Sequence, residues 1–433
     1  MNLRHPLVLA VAGTRCVAPS RRGAKLLYLP KAALVLASLF ATLPSWAQDA
    51  PGYSLLLKQS LEHAPSLREQ AAEVSAAQGT AQQARAWRNP SVDVLAENLN
   101  APLVDGASQR QTTYSITQPL ELFGQRGARV DAGERGLDAA QARQHQAEVD
   151  FAAELAVTYA AAEAAAARQR IAHDDVERAE EDLRAAKAMV EAGKEASLRQ
   201  AQAQAGLGAA QAVAATADAE AAIALQSLSV LVGADEPYTG LGAGLLYDDA
   251  ATAHVEPGAS PAVAAAEADL AAAYAETRIE QKKHWPEIGL TAGRRDYDAG
   301  GNGLVVGVTA TIPLFDRNTG AARAARARAD AANARLDTAR LQANAARQGA
   351  LVEVNASRAR LDAALAGEQA ATEAYRMGRL GYEAGRTSLV ELLMTRRALT
   401  DARMAVIDAR LFRIKALATL AQANGRIAFG DHE

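Results

Sequence analysis

The sequence predicts a mostly α-helical chain with a small β part, built from two copies of one structural unit. Its prolines recur at matched spacings: Pro65 and Pro90 lie 25 residues apart, and so do Pro261 and Pro286. Long alanine-rich stretches without proline follow in both halves, and they predict long helices because alanine has the highest helix propensity. Between the short and the long helical stretches, apolar residues alternate with small or polar ones, which is a strand pattern.

The sequence around these prolines also matches between the halves, which indicates an internal duplication. The first short helical stretch ends at Trp87-Arg88-Asn89-Pro90, and its counterpart ends at Lys283-His284-Trp285-Pro286. Each long alanine-rich stretch is then interrupted by Glu-Ala-Gly, and the repeat period is about 195 residues. We therefore expect a first repeat at residues 48–236, an inter-repeat linker at 237–258, a second repeat at 259–425 and a C-terminal tail at 426–433.

The expected helix lengths indicate a cylinder of fixed height. The stretch from Gly124 to Glu191 would form a helix of roughly 100 Å, at about 1.5 Å per residue. A return helix at about residues 197–231 and an opening helix at about residues 53–86 each cover about half that length. Two short helices stacked end to end would match one long helix. A single extended coiled coil, the alternative, explains neither the strands nor the duplication.

The clearest strand patterns lie in the second half, at residues 288–292 and 304–312, with a weaker one at 114–117. Their larger apolar residues tend to fall on one face. Runs of about ten residues with this period of two are typical of membrane barrel strands. A hairpin on a soluble domain is the alternative interpretation.

Residues 1–47 are predicted to be a secretory signal peptide. They contain six basic residues and no acidic one, and they include the apolar run Ala32–Ala41. Small residues at Ser45 and Ala47 suit a signal peptidase, so we expect cleavage after Ala47. The apolar run is shorter than the roughly 20 residues of a transmembrane anchor, which is the alternative. The only cysteine, Cys16, lies in this leader, so we predict no disulfide, thiol chemistry or lipid anchor in the mature chain.

Charge and composition then exclude several classes of function. Loss of the six leader charges changes the formal net charge from -4 to -10, and nucleic-acid binding needs a basic surface. The seven histidines are scattered without the i, i+4 spacing of a helical zinc site, so we expect no metal site, no cofactor and no enzyme. No stretch after the leader is judged apolar enough for a transmembrane helix. A secreted chain of this kind would enter a membrane only through β-strands.

Membrane strands would require an oligomer. Two copies of the unit supply four strands, whereas bacterial barrels need at least about eight because open sheet edges cannot lie in lipid. Either the strands stay outside a membrane, or several chains share one barrel. Three chains would give twelve strands and twelve helical columns.

The junctions between the strands and the long helices carry a family resemblance. The segments at residues 118–129 and 312–320, together with residues 87–90 and the two Glu-Ala-Gly turns, resemble the TolC family of outer-membrane efflux proteins. The resemblance covers essentially the whole mature sequence. Within the family, the junction motifs look like those of outer-membrane subunits of heavy-metal resistance pumps of the cobalt-zinc-cadmium type.

This resemblance implies a homotrimer with four membrane β-strands per protomer and a periplasmic α-barrel made of long helical hairpins. The family docks on a periplasmic adaptor and an inner-membrane, proton-driven transporter of the resistance-nodulation-division class. The resemblance therefore implies a passive duct in outer-membrane lipid, for divalent heavy-metal cations. A duct of the same fold for drugs, organic compounds or type I secretion is one alternative. A soluble periplasmic coiled-coil adaptor is another.

Two sets of site residues follow from the resemblance. The helix turns of the family contact the adaptor, and the matching residues are Ala192, Gly193, Lys194, Ala384, Gly385 and Arg386. The alternative is that each glycine only ends a helix, since glycine tolerates the positive φ that such an end requires.

The second set is a periplasmic gate just around the second turn. In relatives, a tyrosine, a basic residue and acidic residues narrow the pore there, and the matching positions are Tyr382, Arg386 and Glu391. A further acidic position of the relatives falls at Met394, so the acidic ring is expected to be weaker or replaced by an apolar constriction. Three symmetry-related carboxylates near an axis would attract cations. The alternative is that Glu391 only forms part of a solvent-exposed helix face.

Overall fold

The computed structural model describes residues 49–242, 244–248 and 258–430. The predicted signal peptide and its cleavage site at Ala47 lie outside the described residues. So do residues 243 and 249–257 of the predicted linker and the last three residues of the predicted tail.

The described part of the chain is mostly helical with a small sheet part, as predicted, and one order of elements occurs twice. In each half a short helix precedes two strands, a helix of 67 or 65 residues and a helix of 36 or 35 residues. The first half contains β1 (Asp49–Ala50), α1 (Tyr53–His63), α2 (Pro65–Arg85), β2 (Ser91–Glu97), β3 (Gln111–Leu120), α3 (Gln125–Glu191) and α4 (Ser197–Val232). The remainder contains β4 (Gly240–Leu241), α5 (Pro261–Lys282), β5 (Glu287–Tyr297), β6 (Asn302–Thr311), α6 (Thr319–Glu383) and α7 (Leu389–Ala423).

The opening helix of the first half differs from the prediction, because it is two helices. Helix α1 ends at His63, and α2 begins at Pro65. Between them Ala64 has an extended backbone with φ -58° and ψ 134°. A residue that precedes proline is pushed out of the α region by the proline ring, and proline itself suits the first position of a helix. The single residue Ala64 therefore turns the chain between two helices.

The short helices are stacked end to end, as the lengths predicted. Gly233 ends α4 with φ 71°, and a Cβ atom placed on it would lie 2.6 Å from Cδ of Pro65, the first residue of α2. Gly425 follows α7 with φ 70°, and its Cβ would lie 3.1 Å from Cδ of Pro261, the first residue of α5. In both halves a helix that ends at glycine thus abuts one that begins at proline. The helix α3 of 67 residues, roughly 100 Å at about 1.5 Å per residue, runs beside such a stack.

The helices form one layer with a defined order of neighbours. Helix α3 packs against α2 and α4 of its own half and also against α5 and α7 of the other half, while α6 packs against α5 and α7. Each long helix and each end-to-end stack of two short helices forms one column of this layer. The columns follow the order α2 with α4, then α3, then α5 with α7, then α6. The four-stranded sheet follows the same order, β2-β3-β5-β6.

The sheet has two chemically distinct faces, which the antiparallel register defines. Val94 is paired with Tyr114, and Ile116 with Ala292, which in turn is paired with Val306. Because successive residues of a strand point to opposite faces, these residues share one apolar face. That face also carries Val92, Ile288, Leu290, Leu304 and Val308. The opposite face carries mainly small and polar residues, among them Ser115, Thr117, Gly289, Thr291, Gly293 and Gly307.

The middle of the helical layer is held together by aromatic and carboxylate contacts. The Tyr53 hydroxyl donates to the carbonyl oxygen of Ala428 at 2.7 Å, and its ring lies edge-on to Tyr159 at 5.7 Å between centroids. The Glu163 carboxylate accepts the N–H groups of Leu245 and Leu246, both at 2.9 Å. These bonds attach the described part of the predicted linker to α3.

The prediction that no stretch after the leader is apolar enough for a transmembrane helix is wrong for α4. It is long and apolar enough, by length and composition, to cross a membrane, with a mean hydropathy of 1.2 in its most apolar window. Much of that hydropathy comes from alanine, and α4 packs along α3 as the second arm of a hairpin. Its buried small side chains recur at helical spacing, at Ala203, Ala210, Ala214, Ala217 and Ala221.

Candidate functional site at the helix turns

The turn between α3 and α4 is a tight left-handed helix cap. Gly193 has φ 70°, its N–H donates to the carbonyl oxygen of Val190 at 3.0 Å, and the N–H of Lys194 donates to that of Met189 at 2.9 Å. This pair of bonds is the Schellman motif, in which glycine is favoured because it has no Cβ atom to clash. Ala192, Gly193 and Lys194 are all exposed.

The turn between α6 and α7 repeats this geometry. Gly385 also has φ 70°, its N–H donates to the carbonyl oxygen of Tyr382 at 2.9 Å, and that of Arg386 donates to Gly381 at 2.8 Å. Ala384, Gly385 and Arg386 are exposed as well. The two predicted turns are therefore equivalent in backbone conformation and exposure.

The two turns lie at the same end of the helical layer, because the residues next to them pack into one apolar cluster. The cluster joins Ala186 of α3, Ala203 of α4, Tyr382 of α6 and Leu389 of α7. Its other buried members are Ala179, Leu183, Leu207, Ala210, Tyr375, Leu392 and Leu399.

The structure separates the three predicted gate residues. The side chain of Tyr382 is in the apolar cluster, and the residue is 2% exposed. Burial raises the pKa of its hydroxyl, with a smaller contribution from Glu195. Arg386 and Glu391 are exposed on the far side of the turn. Within the described ranges no hydrogen bond or ion pair joins these three side chains to one another.

Glu391 also has a local structural role. The Ser388 hydroxyl accepts the backbone N–H of Glu391 at 3.3 Å and so caps α7. An acidic side chain in the first helical turn is favourable there because the helix N-terminus carries partial positive charge. One turn further, Met394 is 68% exposed, so an apolar side chain follows Glu391 on this part of α7. Helix capping and a gate role are therefore both compatible with the position of Glu391.

A buried charge cluster near the turns was not predicted from the sequence. Arg396 of α7 lies between two carboxylates of α3, with Nη1 3.5 Å from Oδ2 of Asp182 and Nε 3.7 Å from Oδ1 of Asp175. The three side chains are 9%, 3% and 16% exposed, respectively. The Thr400 hydroxyl donates to Asp175 at 2.9 Å. This cluster ties the long helix of the first half to the last helix of the second.

The two acidic residues of this cluster do have a signal in the sequence. Asp175 and Asp182 are seven residues apart, which places them on one face of a helix two turns apart. The sequence alone does not show whether this acidic face is solvated or covered by another helix. Only the packing of α7 on α3 shows that this face is buried.

The electrostatics of Asp182 follow from its burial among several charged groups. Burial raises the pKa of its carboxyl to about 6, while Arg396 opposes this change. Asp175 and Glu181 of α3 raise the pKa further, and Arg379 of α6 lowers it. The hydroxyl groups of Tyr375 and Tyr382 lie in the same region without a hydrogen-bond partner in the described residues.

A second, more exposed set of ion pairs surrounds the cluster. Arg403 of α7 lies 3.4 Å from Asp174 and 3.7 Å from Glu368 of α6, and Arg379 lies 3.6 Å from Glu181. These pairs connect three helices near the turns. No group of three or more metal-ligating side chains is found in residues 49–242, 244–248 and 258–430.

Comparison with known proteins identifies the family. The family model described as outer membrane efflux protein matches residues 56–234 and 258–426, one match in each half of the chain. The chain is 55% identical to the nickel-cobalt-cadmium resistance protein NccC of Alcaligenes xylosoxydans xylosoxydans, over 91% of each chain. It is 54% identical to the nickel and cobalt resistance protein CnrC of Cupriavidus metallidurans, over 89% of this chain and 93% of that one.

A solved structure shows the same fold at low identity. The CmeC outer membrane channel of Campylobacter jejuni superposes with a TM-score of 0.73 at 17% identity, covering 86% of this chain and 85% of that one. The matched family consists of outer-membrane efflux proteins and not of enzymes. The resemblance inferred from the strand-to-helix junctions is therefore confirmed: the chain belongs to the outer membrane efflux protein family.

Proposed function

We propose that this chain is one protomer of a homotrimeric duct that conducts divalent heavy-metal cations passively from the periplasm to the exterior. The observation that carries the proposal is the shared order of the sheet and the helical layer, each of which ends in an open edge. β2 and β6 are the edge strands of the four-stranded sheet. Unpaired backbone groups of an edge strand are costly in lipid, so β6 of one copy would pair with β2 of the next.

The two faces of the sheet support membrane insertion. In a barrel, the apolar face with Val94, Ile116 and Val306 would meet lipid, and the small and polar face would line the lumen. Three copies of four strands would exceed the minimum of about eight strands for a closed barrel. The helical columns would close in the same order, with α6 of one copy against α2 and α4 of the next.

The proposed substrate rests on similarity to relatives. The two relatives that are more than half identical to this chain over about nine tenths of their length are named for resistance to nickel, cobalt or cadmium. We propose the same class of divalent cation as the cargo here. A duct of the same fold for drugs or organic compounds remains the alternative function.

We propose the exposed turns as the docking site of a periplasmic adaptor that links the duct to an inner-membrane, proton-driven transporter. Both turns expose a glycine flanked by alanine and a basic residue, Lys194 in one and Arg386 in the other. A duct that uses no fuel needs such partners to drive export. Tyr382, Arg386 and Glu391 are proposed as the gate, with Glu391 as the group that favours cations.

Two measurements test the proposed duct. Outer-membrane fractions solubilised without heating should contain the protein as a trimer in native mass spectrometry, with the mature chain beginning after Ala47. A soluble periplasmic monomer would contradict the duct. A strain that lacks the gene should accumulate nickel, cobalt or cadmium, and expression of the wild-type chain should restore export. Restored export of organic compounds without any effect on metals would favour the alternative cargo.

A further inference from the structure

Four helix ends meet the four-stranded sheet in one zone, which we call the collar. It comprises residues 85–90, 120–129, 278–287 and 312–328, where α2 and α5 end and α3 and α6 begin. Each of the two long helices is preceded there by a residue whose backbone is in the left-handed region, Gly124 with φ 79° and Asn318 with φ 54°. Asn318 Nδ2 donates to the carbonyl oxygen of Glu280 at 2.9 Å, which fixes the start of α6 against the end of α5.

The collar concentrates exposed aromatic side chains. Trp87 is 68% exposed, Trp285 is 41% exposed and Phe315 is fully exposed. Phe123 stacks on Trp285 with 5.0 Å between the ring centroids, and the Arg126 guanidinium lies 5.0 Å from the centroid of Trp87. The sequence contains three tryptophans, and the third, Trp46, belongs to the predicted signal peptide. Both tryptophans of the mature chain therefore lie in the collar.

The collar is also basic within an acidic chain. Its four segments contain eleven arginines and lysines against four acidic residues, whereas the whole sequence has a formal net charge of -4. Arg317, Arg323 and Arg326 are exposed and form no ion pair with any residue that the structure describes. Part of the positive charge of the collar therefore has no counter-charge among the described residues.

The apolar face of the sheet continues into the collar. Leu120 and Ile288 are paired on that face at the helix-proximal ends of β3 and β5. Ile312, which follows β6, is 59% exposed, and Leu314 is 63% exposed. An apolar surface that ends in exposed tryptophans and arginines has the composition of a membrane–water boundary, where amphipathic rings and basic side chains reside.

We propose that the collar binds the phosphate headgroups of phospholipids in the membrane leaflet that faces the helices. Tryptophan rings would lie at headgroup level, and the arginines would pair with phosphate, which the planar guanidinium binds through two N–H groups. The excess of basic side chains favours anionic over zwitterionic headgroups, because basic segments are attracted to anionic lipid surfaces. This inference rests on the proposed insertion of the sheet, and it fixes where along the chain the membrane ends.

The position of the collar is tested by tryptophan fluorescence of the full-length protein in vesicles that contain brominated phospholipids. Trp87→Phe and Trp285→Phe each leave one native tryptophan. Bromines near the headgroup end of the acyl chain should quench each tryptophan more than bromines near the chain end. Val306→Trp and Val352→Trp, each in the background that lacks both native tryptophans, are the controls. The first should be quenched by deep bromines, and the second by none.

The headgroup preference is tested by comparing brominated anionic with brominated zwitterionic phospholipid in mixtures with ordinary lipid. The wild-type protein should be quenched more by the anionic lipid at equal mole fraction. Arg317→Gln, Arg323→Gln and Arg326→Gln combined should abolish that preference. A control with Arg335→Gln, Arg347→Gln and Arg358→Gln removes the same charge further along α6 and should retain it.

Two outcomes would overturn the inference. Absence of quenching in a protein that still forms conducting trimers would mean that another protein surface covers the collar, while the duct itself would stand. Equal quenching by anionic and zwitterionic lipid in the wild type would refute phosphate recognition by the arginines. A protein that neither inserts nor conducts would instead contradict the proposed duct.

Discussion

Oδ2 of Asp182 in α3 and Nη1 of Arg396 in α7 lie 3.5 Å apart, with the two side chains 3% and 9% exposed. The pair joins the first half of the chain to the second, next to the turns proposed to form the entrance. A buried charge without a partner costs more free energy than a buried pair. Loss of Arg396 would leave two carboxylates without their cation, whereas loss of Asp182 would leave Arg396 next to Asp175.

Replacing Arg396 with methionine should strongly destabilise the protein. The substitution removes the cation that lies between Asp175 and Asp182, which leaves two largely buried carboxylates of α3 without that counter-charge. We expect a loss of about 3–5 kcal/mol in the free energy of unfolding, as is typical when one partner of a buried pair is removed. Denaturant unfolding of the detergent-solubilised protein measures the loss. The exposed neighbour Arg397→Met is the control, and an equal, small effect of both substitutions would contradict the prediction.

The pH dependence of stability should report the ionisation of Asp182. Its carboxyl has a pKa of about 6 in the folded chain, above the value of 3.8 for an unperturbed aspartate. The folded state therefore binds the proton more tightly, and this group favours folding fully below the unfolded pKa. That contribution is lost as the pH rises through about 6.

The comparison that isolates this effect is between the wild type and Asp182→Asn. Acidification from about pH 7 to about pH 4 should stabilise the wild type relative to Asp182→Asn, because the amide does not titrate. Thermal unfolding at several pH values measures the difference. Asp401→Asn, at an exposed position of α7, should show the same pH dependence as the wild type. Parallel curves for the wild type and Asp182→Asn would refute the assignment.

The contrast between this cluster and the helix ends shows what the sequence can predict. The expected long helix from Gly124 to Glu191 matches α3, because glycine and proline mark helix ends through local backbone geometry. The pairing of Asp182 with Arg396 could not be predicted, since it depends on which of several polar faces is buried by another helix 214 residues later in the chain. The sequence likewise predicts where Tyr382 lies along the helix, but only tertiary packing shows that its ring is buried.

The turn glycines should be sensitive to alanine for a purely conformational reason. Gly193 and Gly385 both have φ 70°, and no heavy atom lies within 4 Å of an added Cβ at either position. Alanine in this left-handed region costs about 1–2 kcal/mol, so Gly193→Ala and Gly385→Ala should each destabilise the protein by that amount. Gly349→Ala, within α6 and also with open space around its Cβ, should instead stabilise by about 0.5–1 kcal/mol. Thermal unfolding distinguishes the two outcomes, and stabilisation by all three substitutions would contradict the turn geometry.

Gly233→Ala should be more harmful than Gly193→Ala, although the two residues have nearly the same φ. At Gly233 the added Cβ would lie 2.6 Å from Cδ of Pro65, so the junction between α4 and α2 must open. We expect a further loss of about 1–3 kcal/mol from this overpacking. Equal costs at the two glycines in the same unfolding assay would mean that α4 and α2 do not abut.

The proposed gate can be separated from helix capping by two substitutions at the start of α7. Glu391 follows the Ser388 cap, and both residues support the same helix end, but only Glu391 carries a charge. Ser388→Ala should weaken the helix end by about 1 kcal/mol and leave ion selectivity unchanged. This substitution is the structural control for any change at Glu391.

Glu391→Gln should lower the preference for cations over anions in bilayer conductance recordings, because three neutralised side chains near the axis would no longer attract cations. Arg386→Gln should act in the opposite direction, since it removes the exposed positive charge on the other side of the same turn. The reversal potential under a salt gradient gives the selectivity of each variant. A reversal potential of Glu391→Gln equal to that of the wild type and of Ser388→Ala would reduce Glu391 to a helix-capping residue and remove it from the gate.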